Sequence, residues 1–369
     1  MIPVNEPLLN GNEKKYLMEC IDTGWISSEG PFVRSFEEMV ASYVGLQHGI
    51  AVCNGTVALE VAMSAIDLKP GEEVIMPAFT IISCALAVIR RGGVPVLVDV
   101  EADTWCMDIN QVKDKITKKT KAIMPVHMYG HPVDMDPIIY LAEKYGLYII
   151  EDAAEVHGAE YKGRKCGGIG HINCFSFYAN KIITTGEGGM VVTNDNRLSE
   201  RARLHRNLCF KEGRRFYHEE LGGNYRITNL QAAVGTAQME RIDEFVGIKR
   251  RNGASYNKHL TDIKWIQKPV EKKWAKNVYW MYGIVISETT GFTAESFARQ
   301  LSEKEIATRP YFLGMHEQPA LCKMGFFSNE SYPVTERISK QGLYLPSGLT
   351  LSERDIQKVA AAIKEIMPK

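Results

Sequence analysis

The 369-residue sequence carries no net charge: Lys and Arg together number 44, and so do Asp and Glu. No global field therefore draws it to a polyanion or an acidic membrane surface, and a nucleic-acid partner loses its usual electrostatic footprint. No apolar run approaches the roughly 18 residues that span a bilayer. Met1-Ile2-Pro3-Val4-Asn5-Glu6 has no basic segment leading into an apolar one, so neither an export signal nor a membrane anchor is expected. The eight cysteines form no C-x-x-C pair, and several lie in apolar runs such as Ser83-Cys84-Ala85-Leu86. That pattern points to reduced, buried thiols in a cytoplasmic protein. His127, His157 and Cys84 show no metal-ligand spacing such as H-E-x-x-H, and no metal is expected.

What is present is ordinary core material, 45% apolar residues against 24% charged. A single hydrophobic core stops growing at about 250–300 residues, so two domains are expected. From about residue 48 to 193, short β-branched runs alternate with helical stretches, the pattern of a mostly parallel sheet covered on both faces. Strands are expected at His48–Val52, Glu73–Met76, Val94–Val100, Ala122–His127, Leu147–Glu151, Cys174–Phe177 and Met190–Thr193, with helices such as Asp136–Tyr145 between them. A long helical stretch follows from Thr228 through Met239, Phe245 and Tyr256, and after it the pattern changes. The expected division is an α/β domain over 1–246 and a smaller α+β domain over 247–369. The smaller part has strands at Val278–Ile286 and Ala307–Phe312, a helix near Ala294–Glu303 and a terminal helix from Ser352.

Three segments carry chemistry. In Cys53-Asn54-Gly55-Thr56-Val57-Ala58-Leu59 a strand turns through a glycine into a helix. Unpaired N–H groups and the positive end of the helix dipole make such a start a phosphate seat, although a glycine turn with a threonine cap would read the same way. Tyr148-Ile149-Ile150-Glu151-Asp152-Ala153-Ala154-Glu155 is a buried strand that ends in carboxylates followed by small residues. An acid there points into the crevice at the carboxyl ends of a parallel sheet, and the alanines leave room for a flat ring; a helix cap is the plainer alternative. No G-x-G-x-x-G precedes this strand, which disfavours a nicotinamide cofactor. The third segment runs from Phe175-Ser176-Phe177-Tyr178-Ala179-Asn180-Lys181 to Gly186-Glu187-Gly188-Gly189. A lysine between an aromatic strand and a glycine turn is shielded from solvent, which lowers its pKa and favours the neutral, nucleophilic amine. Ser176, five residues before Lys181, is expected to reach a phosphate held near Gly55.

A phosphate seat, an acid, room for a ring and a nucleophilic lysine are the parts a pyridoxal phosphate (PLP) enzyme needs. With Trp25-Ile26-Ser27-Ser28 and Asn224-Tyr225-Arg226-Ile227-Thr228-Asn229, these segments resemble, nearly end to end, the DegT/DnrJ/EryC1/StrS sugar aminotransferases. The resemblance implies an aspartate-aminotransferase-like PLP fold (fold type I) with Lys181 and Asp152 catalytic. Lys181 would carry PLP and shuttle a proton, and Asp152 would pair with the ring nitrogen. It implies that Gly55, Thr56 and Ser176 hold the phosphate, with Asn224 supplied by the partner of a homodimer. Ala154 would pack on the ring, Glu155 would lie near its hydroxyl, and Asn180 would precede the lysine. Ile81, in Pro77-Ala78-Phe79-Thr80-Ile81-Ile82, stands where relatives place an aromatic ring cover. Trp25, Ser27, His131, Arg226, Arg309, Tyr311 and His316 resemble substrate-side positions, with a structural histidine the alternative for His131 and His316.

The substrates so implied are glutamate, as amino donor, and a nucleotide-linked 4-keto-6-deoxyhexose. Within the family, Trp25–Ser28, Glu155 and Asn180 are most like the perosamine-forming members, which act on GDP-4-keto-6-deoxymannose. UDP- or dTDP-linked keto sugars are the alternative. A PLP-dependent sugar dehydratase is disfavoured because those relatives replace the lysine with histidine, and a binding-only protein would not need Asp152 and Lys181 together.

Overall fold

The computed structural model describes residues 1–211 and 213–366. Its main sheet has seven strands: β1 (His48–Val52), β2 (Glu73–Pro77), β3 (Val94–Val98), β4 (Thr120–Ile123), β5 (Tyr148–Asp152), β6 (Ile172–Ser176) and β7 (Gly189–Thr193). Their spatial order is β1-β7-β6-β5-β4-β2-β3. Pairing is parallel from β6 through to β3, whereas β7 runs antiparallel to both β6 and β1. The strands read as nearly continuous apolar runs because helices cover both faces. This geometry places the carboxyl ends of six strands along one edge. The ends of β1, β5 and β6 and the segments that follow them, with Gly55, Asp152 to Glu155 and Lys181, converge there.

The expected strands are recovered with shifted ends. Ala122–His127 is cut short at Ile123, and the following segment is irregular, with Tyr129 at φ 51°. Val278–Ile286 begins only at Tyr282, because the Asn277 side chain accepts from the Tyr279 amide at 2.7 Å and Tyr279 takes a positive φ. The helical stretch from Thr228 is two helices, Asn229–Met239 and Ile242–His259. The second has its own start signal, with Asp243 and Glu244 in its first turn, where acids favour the positive helix end, and Arg241 bound to Glu244 at 2.8 Å.

A second sheet, antiparallel throughout, orders Ile266–Gln267, Tyr282–Ile286, Gly342–Leu345 and Arg309–Pro310. It and the helices Ala294–Glu303 and Glu353–Glu365 enclose a second apolar core that includes Tyr282, Phe297 and Ile363. Ser352 caps the last helix through a reciprocal bond with Asp355. The helix Ile242–His259 ties the two cores together, Phe245 and Val246 packing in the first and Tyr256 in the second. Among the described residues no helix is long and apolar enough to cross a membrane.

Candidate active site

A cavity of about 440 Å³ opens at the convergent strand ends, lined by Gly55, Thr56, Ile81, Asp152, Ala154, Glu155, Ser176, Asn180 and Lys181 among others. Every residue expected around the cofactor except Asn224 lies on it.

One wall is the start of the helix Gly55–Ala65. The Asn54 side chain caps it by accepting from the Val57 amide at 2.9 Å, and its first residues, Gly55 and Thr56, line the cavity. The end of β6 presses against this start. A Cβ on Gly55 would lie 2.6 Å from Ser176 Cβ, so only glycine permits the approach. Thr56 Oγ1 lies 2.8 Å from Ser83 Oγ, which brings another hydroxyl to the same corner. Amide donors, hydroxyls and a helix N-terminus form a donor set suited to a phosphate.

Strand alternation separates the two acids that end β5. Glu151 points away from the cavity and accepts from His127 at 2.8 Å and from the amides of Gly167, Ile169 and Gly170. The Val133 amide donates to His127 Nδ1, so both ring nitrogens of this histidine are engaged. His127, Glu151 and Cys166 cluster closely, but these donors occupy the carboxylate. Asp152 faces the cavity instead. Its Oδ1 accepts from the Ala154 amide at 3.0 Å, and Cys84 Sγ lies 3.2 Å from its Oδ2. Burial raises the Asp152 pKa, and these two donors oppose the rise.

Lys181 Nζ sits 4.0 Å from Glu155 Oε1 and 3.8 Å from the centroid of the Trp280 ring. Burial lowers its pKa, against the pull of Glu155 and Asp152. Burial pushes Glu155 up to about 7, countered by Lys181 and by the Tyr129 amide, which donates to Oε2 at 2.8 Å. Trp280 also donates from its indole nitrogen to the Asn180 carbonyl at 2.8 Å. Asn180 Oδ1 is buried without a hydrogen-bond partner among the described residues, an acceptor left for a bound group. Phosphate donors at one end, a buried carboxylate at the other and a shielded lysine between them fit PLP.

Thr80, Ser83, Tyr178, Trp280, Phe312 and Tyr344 also line the cavity, and sequence reading passed over them as site residues. Thr80 and Ser83 flank Ile81, a signal that was available. Trp280, Phe312 and Tyr344 come from distant segments and carry no local mark.

The substrate-side residues divide differently. Trp25, Ser27 and Arg226 line a separate cavity of about 980 Å³, where Arg226 donates to Asn207. Asn224 is exposed and bridges to Asn207. His131, Tyr311 and His316 do not line the Lys181 cavity and are packed against neighbouring side chains and backbone. His131 is buried, with Nδ1 2.7 Å from the Pro132 carbonyl and Nε2 accepting from the Lys272 amide, and burial lowers it to about 4. Tyr311 packs in an aromatic cluster with Tyr129, Phe79 and Trp105. His316 contacts Glu336 at 3.2 Å and packs on Tyr332. Arg309 is exposed on an edge strand, opposite the cavity residue Tyr344.

Comparison with known proteins matches the chain to the DegT/DnrJ/EryC1/StrS aminotransferase family over residues 7–364. A GDP-perosamine synthase of Caulobacter vibrioides is 42% identical, over 99% of this chain and 98% of that protein. A putative pyridoxal phosphate-dependent aminotransferase, EpsN, of Bacillus subtilis is 34% identical, over 97% and 94%. The crystal structure of a 3-amino-5-hydroxybenzoic acid synthase superposes with a TM-score of 0.92 at 32% identity, covering 99% of this chain and 98% of that one. Sequence, fold and the lysine cavity agree, and the chain belongs to the DegT/DnrJ/EryC1/StrS aminotransferase family.

Proposed function

We propose that this PLP-dependent aminotransferase converts a nucleotide-linked 4-keto-6-deoxyhexose, GDP-4-keto-6-deoxymannose in first place, to the 4-amino-4,6-dideoxy sugar with glutamate as amino donor. The observation that carries the reading is Lys181, shielded between Glu155 and Trp280 in the cavity that also holds Asp152 and the start of the Gly55 helix. The GDP sugar is supported by the 42% identity to a GDP-perosamine synthase.

When bound, PLP supplies the electron sink that lets an amino group leave the donor and join the keto carbon. Lys181 would hold the cofactor through Nζ and move a proton at that atom, a task suited to an amine whose pKa burial has lowered. Asp152 would hold the proton on the ring nitrogen. Gly55, Thr56 and Ser176 would hold the phosphate, Ala154 would leave space for the ring, and Ile81 would cover it. Glu155 and Asn180 meet its polar edge. A homodimer is part of the reading: Asn224 is exposed and does not line its own cavity, and a second copy would bring it to the phosphate. Trp25, Ser27 and Arg226 then approach the sugar nucleotide from that copy, and Arg309 from the small-domain edge. The division into 1–246 and 247–369 is part of the proposal, as is a cytoplasmic setting in line with the unpaired cysteines.

The test is borohydride reduction of the yellow holoenzyme followed by peptide mapping, then assay of 2-oxoglutarate formation from glutamate with a panel of nucleotide keto sugars. The expected results are a pyridoxyl group on Lys181 and turnover with the GDP sugar. Labelling of another lysine overturns the site. Preference for a UDP or dTDP sugar overturns the nucleotide assignment, and failure of every keto sugar with PLP bound overturns the reaction.

A further inference from the structure

Cys84 is the second residue of the helix Ser83–Arg90 and is wholly buried behind the cavity wall. Its Sγ lies 3.2 Å from Asp152 Oδ2 and 3.4 Å from Thr80 Oγ1. Burial, with the charge of Asp152 adding to it, pushes the thiol well above its ordinary range, so it stays protonated and serves as a donor. A thiol that donates to Asp152 leaves its sulfur to accept from Thr80, and Thr80 itself lines the cavity. The three side chains thus form a short relay of donors ending on the acid.

We propose that Cys84 is a positioning residue for the aminotransferase reaction: its thiol, backed by the Thr80 hydroxyl, fixes Asp152 Oδ2 so that the carboxylate serves as partner to the ring nitrogen of the bound cofactor. This rests on the proposed function above. The physical need is specific. A carboxylate in a low-dielectric site tends to take up a proton, and hydrogen bonds to its charged form oppose that. Asp152 has two direct side-on donors, one per oxygen: the Ala154 amide and the Cys84 thiol. Lys181 and Glu155 face it from the cavity side, and His127 and Cys174 from the neighbouring strands and turns. None of these charged or titratable groups is within hydrogen-bond distance of Oδ2 among the described contacts, so Cys84 is the group that orients this oxygen. Without it, Asp152 keeps one anchor, is free to rotate, and takes a proton at higher pH.

The experiment compares wild-type enzyme, Cys84→Ala and Cys84→Ser. Each is stripped of cofactor and titrated with PLP across a pH series to obtain Kd, and thermal unfolding is followed in parallel. Hydrogen bonds to charged groups predict that Cys84→Ala weakens PLP binding about tenfold at neutral pH. The acid limb of the Kd–pH profile should also move upward by about one pH unit. Cys84→Ser keeps a donor and should recover both readouts in whole or in large part. A role confined to packing would lower the unfolding temperature and leave the acid limb in place. Unchanged binding and an unchanged limb in Cys84→Ala overturn the inference, as does Cys84→Ser behaving like Cys84→Ala. Should the alanine variant not fold, the near-isosteric pair Cys84→Thr and Cys84→Val decides: the threonine should keep the limb and the valine should shift it, and equal behaviour overturns the inference. Failure of the wild-type protein to bind PLP would overturn the functional reading and this inference with it. Normal wild-type binding with an indifferent Cys84→Ala overturns this inference alone.

Discussion

Lys249 offers a test of how the interior beside the site is built. It lies within the helix Ile242–His259 and is 1% exposed. Its Nζ donates to the carbonyls of Trp280, at 2.9 Å, and Ser347, with Asn5 Oδ1 at 3.4 Å. These are neutral acceptors, and burial alone lowers the ammonium from an ordinary value near 10.5 to about 7. That fall corresponds to about 5 kcal/mol against the charged form. The sign follows from linkage. An unfolded chain keeps this lysine protonated up to about 10.4, whereas the folded chain releases the proton above about 7, so over that interval the unfolded state binds more protons. Folded stability should therefore rise with pH by at most about 1.4 kcal/mol per pH unit from this group. Replacing Lys249 by Met fills a similar volume without a titrating amine and orphans the oxygens, at about 1–3 kcal/mol for each that stays unsatisfied. Urea unfolding of wild type and Lys249→Met at several values between about pH 7.5 and 9.5 isolates the term by difference. The gap should move in favour of wild type by about 2–3 kcal/mol over those two units. Parallel stability curves would refute the reasoning, because they would mean that Lys249 does not change protonation on folding in this range. The result also bears on the site, since the carbonyl that Lys249 holds belongs to the tryptophan lying over Lys181.

Three further outcomes are expected. Gly55→Ala sets a Cβ 2.6 Å from Ser176 Cβ and should destabilise the protein by about 1–3 kcal/mol. It should also weaken PLP binding, and an unchanged PLP Kd would place the phosphate elsewhere. Ile81, which lines the cavity and is 45% exposed, should hold PLP more tightly when replaced by Tyr, by about 0.5–1.5 kcal/mol of stacking. Dissociation rates measure this, and faster loss of PLP from a folded variant would show that Ile81 does not face the ring. Mixing Lys181→Ala with Asn224→Asp subunits should restore one of the two sites in the mixed dimer, read as recovered transamination. No recovery in verified heterodimers of two inactive parents would assign Asn224 to its own subunit.

The chemical centre was legible in the sequence because each of its parts is local. A strand followed by a glycine and a helix start, a strand ending in acids and alanines, and a lysine before a glycine turn all announce themselves within a few residues. A parallel sheet then brings such strand ends to one edge. Period-two alternation even separates Glu151 from Asp152, although which of the two faces the cavity became plain only from the four donors gathered on Glu151. Tertiary structure alone decided the rest. The antiparallel insertion of β7 between β1 and β6 sets Ser176 against Gly55, and no periodicity encodes that neighbour relation. Trp280 reaches the lysine loop across 100 residues of sequence, and Cys84 reaches Asp152 across 68. His131 and His316 read in sequence as either substrate-side or structural, and only the fold shows their neighbours: Pro132 and Lys272 for the first, Glu336 for the second. Local pattern is set by the backbone and its immediate side chains. Which polar atom stays available to a ligand is set by every group that folding brings within hydrogen-bond reach, and those groups come from the whole chain.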